Sequence, residues 1–157
     1  MSSRLKALKH LPREAVMASE RRLLMGAFVS QFRELCEDLN RVFPEDVDVR
    51  GATTAFQTLL TANPKLVLNV YHMHVTLPYQ DAFFAGNLAF FLEKDYTDDI
   101  RLTNSGAILR KIDALRVPIA RLSPECHDSV LKYFSNMCKL TNRLVPAEGD
   151  LEIEVSQ

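Results

Sequence analysis

Tryptophan is missing from the 157 residues altogether, and glycine is scarce, with five, at positions 26, 51, 86, 106 and 149. No two of these glycines stand close enough to build a phosphate-cradling loop of the dinucleotide or Walker type. Two large classes of nucleotide-dependent enzyme are thereby excluded. Cysteine is limited to Cys36, Cys126 and Cys138, an odd number at spacings that give no disulfide framework, which points to a reducing, intracellular compartment. There is no Asn-x-Ser/Thr sequon and no Cys-x-x-Cys, His-Glu-x-x-His or Gly-x-Ser-x-Gly motif. The longest stretch without a formal charge, residues 66–80, contains two histidines, an asparagine and a proline, so it is too short and too polar to cross a bilayer. No enzyme, cofactor, metal or small-molecule ligand is expected from these absences.

What is present is the composition of a folded globular chain: 47% hydrophobic and 25% charged residues with a net charge of −1. The length suits one domain with a core large enough to need no metal or disulfide. Apolar residues recur at helical spacing. Met25, Phe28, Phe32, Leu35, Leu39 and Val42 form one stripe, with Arg33, Glu34, Glu37 and Asp38 beside it. Pro44 ends that helix, and the acidic run 44–48 reads as a solvated loop before a helix holding Phe56 and Leu60. Asn63-Pro64 is a cap followed by proline at the first helical position, predicting a helix from Pro64 to about Leu77 that Pro78 closes. Residues 79–92 read as one or two short helices whose aromatic face is Phe83, Phe84, Phe90 and Phe91. The polar stretch 95–104 reads as a loop. Ile108, Leu109, Ile112, Leu115 and Ile119 rebuild a stripe that Pro118 should kink or end, and Ser123-Pro124-Glu125 opens the last helix. The expected fold is an all-α, single-domain bundle of five or six helices over 23–146, with a basic N-terminal arm or helix at 1–22 and an acidic tail at 147–157.

Charge is unevenly placed. Residues 51–92 carry only Lys65 and Asp81 as formal charges, yet five of the nine phenylalanines. A helix without a charged face is normally buried on more than one side, so this stretch is expected at the centre of the bundle, with part of it available as an interface. Residues 1–22 carry six bases against two acids, and residues 148–157 four acids and no base. Arg4, Lys6, Lys9 and Arg13 could serve a polyanion such as nucleic acid, an acidic protein surface, or a second copy's tail. They also superficially fit an organelle presequence, against which a basic arm is preferred. The leading expectation is a non-enzymatic assembly or scaffold protein with a protein partner or a second copy, contacting it through Phe83, Phe84, Phe90, Phe91 and the basic arm. The alternative is a nucleic-acid-binding accessory protein that uses the arm.

Three constellations contain reactive residue types without a workable spacing. In Cys126-His127-Asp128, consecutive helical residues point about 100° apart and cannot face one another. His72 and His74 diverge on a helix and cannot chelate one metal. Asp95, Asp98 and Asp99 match no calcium loop.

The words Val42-Phe43-Pro44-Glu45-Asp46, Ala62-Asn63-Pro64-Lys65, Leu77-Pro78-Tyr79 and Phe90-Phe91-Leu92-Glu93-Lys94-Asp95-Tyr96 give residues 25–145 a likeness to a group of proteins. The chain resembles small uncharacterised helical proteins encoded by large DNA viruses of algae and protists. That resemblance implies a viral protein, a minor component of the particle, in the virion or the host cytoplasm, acting by contacts. It transfers no catalytic or binding residue.

Overall fold

The computed structural model describes residues 13–93 and 106–145. Helix α1 spans Arg13–Val42. Its core face is Phe28, Phe32, Leu35, Cys36 and Leu39, while Leu24 and Met25 pack beside it and Val42 reaches solvent. Helix α2 spans Val47–Ala62, starting earlier than the acidic run suggested. Asp46 is its cap, the carboxylate accepting the backbone N–H groups of Asp48 and Val49 at 3.0 and 3.1 Å. Two otherwise orphaned donors are satisfied in this way, and a negative charge sits at the positive end of the helix dipole.

Helix α3 spans Pro64–Tyr71, capped by Asn63, whose side chain accepts from the Leu66 N–H at 3.2 Å. Pro78 does not close the rod. The backbone passes through a π-helical segment, His72–Thr76, and continues as α4, Leu77–Phe84. A proline in an α-helix removes one donor and crowds the carbonyl four residues before it. Here the Leu77 N–H reaches back five residues to the His72 carbonyl, and the widened turn carries the chain past the obstruction at Pro78. A Schellman-type end follows α4: Gly86 adopts φ 85°, its N–H bonds the Phe83 carbonyl, and the Asn87 N–H bonds the Ala82 carbonyl. Helix α5 spans Ala89–Leu92.

Helix α6 spans Gly106–Ala120 with Pro118 inside its last turn, and it ends two residues beyond that proline. Helix α7, Pro124–Leu144, is capped by Ser123, which accepts from the Cys126 N–H at 3.3 Å, as its opening residues predict. Counted with α3–π–α4 as one rod, six helices and no strand occur among the described residues, an all-α bundle in a single domain. None of these helices is long and apolar enough to cross a membrane. The predicted loop at 95–104 and the acidic tail lie outside the described residues.

Helices α1 and α7 run antiparallel along their length, tied by Glu20 with Arg143, Gln31 with Asn136 and Asp38 with Tyr133. Helix α2 packs on α1 and α6. The rod enters the interior: Val67, Leu68, Asn69, Val70, Tyr71 and His72 are buried in succession, which only a helix covered on every side allows. A chain of rings, Phe56, Phe32, Tyr71, Phe134, Phe83 and Phe91, runs through the core with centroids 4.9–6.5 Å apart. The charge-poor stretch therefore supplies the centre of the fold through α3 and the π segment. The outward face of α2 has Thr54, Thr58 and Thr61 where charges would ordinarily stand.

Candidate interaction surface

Neighbouring phenylalanines on a helix lie about 100° apart, and each expected pair divides accordingly. Phe83 and Phe91 are 1% and 2% exposed and stack or edge onto Phe134 at 5.3 and 5.2 Å, so neither can meet a partner. Phe84 and Phe90 are 47% and 60% exposed. Lys139, from α7, places its ammonium 5.8 Å from the Phe84 ring centroid, and Phe90 lies edge-on to Tyr79 at 5.6 Å. Leu77, 54% exposed, stands seven residues before Phe84 on the same helix face. The sequence pattern had given no sign of this leucine as a surface residue. Arg4, Lys6 and Lys9 lie outside the described residues, as does the side chain of Arg13, whose backbone opens α1.

The histidines have structural partners. His72 is 4% exposed and projects from the π segment toward α7, with Nδ1 3.0 Å from Thr141 Oγ1. That oxygen is also 2.8 Å from Thr76 Oγ1 and 3.1 Å from the Cys138 carbonyl. A carbonyl only accepts, so the single Thr141 hydroxyl proton goes to Cys138, and Thr76 and His72 donate to Thr141. His72 thus donates from Nδ1, and burial holds its pKa below the ordinary 6.5, which favours the neutral ring. Beside it the Tyr71 hydroxyl donates to the Phe134 carbonyl at 3.0 Å, and burial pushes the Cys138 thiol up. Burial, with Glu37 nearby, likewise raises the Cys36 thiol to about 12. His127 Nε2 donates to the Ile119 carbonyl at 2.7 Å and so closes an open end of α6. It faces neither Cys126 nor Asp128. Among the described residues no group of His, Cys, Asp and Glu is arranged to hold a metal ion.

A cleft of about 190 Å³ follows the α1–α7 seam, its floor made by Leu35, Leu39, Leu122 and Val130 and one edge by Cys126 and Ser129. Across its wall the Tyr133 hydroxyl donates to Asp38 at 2.5 Å, and Arg41 donates to the same carboxylate at 2.6 Å. Burial and the Asp38 bond raise the Tyr133 phenol above its ordinary value. Asp38 is thus engaged at both oxygens. No family model, curated protein or solved structure matches the chain.

Proposed function

We propose that this chain is a non-enzymatic assembly protein that docks on other proteins through the exposed part of its charge-poor helices. The observation that carries the reading is the exposure of Leu77, Phe84 and Phe90 within a stretch holding two formal charges. Covering apolar surface releases about 25 cal/mol per Å², and little charge has to be stripped of water there to obtain it. The side chains of Tyr71, His72, Thr76 and Thr141 are engaged with one another or with backbone carbonyls, which fits a part that is held rather than one that reacts. The resemblance to helical proteins of large DNA viruses supplies the setting we propose, a minor component of a viral particle.

A photoreactive phenylalanine analogue placed at position 84 or 90 of the full chain tests this in an extract of the cells that make it. Protein adducts are expected from both positions, and none from the exposed control position Arg110 on α6. Absence of any adduct from 84 and 90 overturns the reading.

A further inference from the structure

The cleft on the α1–α7 seam continues past its apolar floor. Asp38, Ser129 and Tyr133 line it and also line a second hollow of about 300 Å³, whose remaining walls are Gln31, Lys132 and Asn136. One end of the joined groove is therefore hydrocarbon and the other is amide, hydroxyl and ammonium. Most polar groups at the second end are already committed within the chain. Tyr133 and Arg41 donate to Asp38, Asn136 donates to Gln31, Gln31 donates to Glu34, and Ser129 donates to the Glu125 carbonyl. Lys132 differs: it is exposed, and its ammonium has no hydrogen-bond or ion-pair partner among the described residues.

Two bases, Arg41 and Lys132, and one acid, Asp38, line the groove, which leaves a net charge of +1. Arg41 and Asp38 neutralise each other, so the surplus sits at Lys132, beyond the hydrocarbon end. Glu34 stands outside these walls and is held by Gln31 at 3.5 Å. The complementary occupant has an apolar body and one anionic head. Its body leaves water for the leucine floor, and its head accepts a charge-assisted hydrogen bond from the ammonium. Each half of the groove is at or below the small end of pockets that enclose organic ligands, whereas a docked helix is roughly 10–12 Å across with its side chains. We propose that the α1–α7 groove binds a small amphiphilic carboxylate, with its chain over Leu35, Leu39, Leu122 and Val130 and its head at Lys132. The site uses none of Leu77, Phe84 and Phe90, so it goes beyond the assembly reading and stands or falls apart from it.

Decanoate, titrated below its micellar concentration into the isotope-labelled full chain and followed by amide NMR, tests the site. Decanol and decyltrimethylammonium share its chain and change only the head. Decanoate is expected to shift residues 31–42 and 122–136 and to bind ~10-fold more tightly than decyltrimethylammonium, with decanol between them. Lys132→Gln weakens decanoate ~3- to 10-fold and leaves decanol within ~2-fold. Ser129→Trp, at the exposed junction of the two halves, fills the groove and removes both ligands, and the same spectra show whether the fold is kept. If that variant misfolds, alkylation of Cys126 by iodoacetamide decides instead: this thiol edges the apolar end while Cys36 and Cys138 are buried, and decanoate is expected to slow its reaction. Shifts that gather at Leu77, Phe84 and Phe90, or no shifts at all, overturn the inference. So do equal affinities for the anionic and cationic heads, decanoate binding indifferent to Lys132→Gln, and Cys126 alkylation that decanoate leaves unchanged.

Discussion

His72 has traded water for the hydroxyl of Thr141, and that exchange is pH-dependent. In the unfolded chain its imidazole takes up a proton near the ordinary value of 6.5, whereas burial lowers the value in the fold. The unfolded state therefore binds more protons in the window between the two. Stability is expected to be full above pH 6.5 and to fall as the pH drops below it, by at most about 1.4 kcal/mol per pH unit, levelling once both states are protonated. Urea denaturation at stepped pH checks this, and His72→Asn, which keeps a donor toward Thr141, should flatten the slope. Asn69 shows the opposite bargain. It is buried at 3% exposure and its Nδ2 has no hydrogen-bond partner among the described residues, so its amide is desolvated without compensation there. Asn69→Leu, close in shape and without the amide, is expected to raise stability by about 1 kcal/mol, read as an increase in Tm.

Caps hold the individual helices to their boundaries, and they differ in strength. Asp46 accepts two backbone donors and also approaches Arg121 at 3.9 Å, whereas Ser123 accepts one donor at 3.3 Å. The Arg121 pair is largely solvated and contributes little. Asp46→Ala is expected to cost about 1–2 kcal/mol in urea denaturation and Ser123→Ala about 0.5–1 kcal/mol. The Asn63 and Ser123 caps were legible because a proline follows each at the first helical position, so cap and start signal are adjacent in the chain. Asp46 was obscured by Glu45 and Asp48: three acids in four residues read as solvated loop, and only coordinates show which carboxylate turns back on the helix. Pro78 was misread as a stop because the rule it breaks belongs to α geometry. A wider turn satisfies the same backbone by another route.

At the scale of the whole molecule, the lack of charge in residues 51–92 was a sound guide to the centre and a poor guide to each face. Val67 to His72 are buried all round, as uncharged helix predicts. On α2, however, Thr58 and Thr61 turn their hydroxyls back to the carbonyls of Thr54 and Gln57, and Arg33 reaches across from α1 to Thr61. Hydroxyl and amide groups thus meet water there without any formal charge, which composition cannot tell from a buried face. The aromatic run was legible as core material. Which ring of each pair faces inward was not, because that depends on how far the rod has rotated by the time it reaches Leu77. A π turn is an α-helix carrying one surplus residue. Deleting any one of residues 72–76 would turn everything downstream by about 100°, swinging Phe83 away from Phe134 and bringing other side chains inward. The choice of which aromatic rings are kept dry is thus made upstream of all of them, by a phase offset of a single residue.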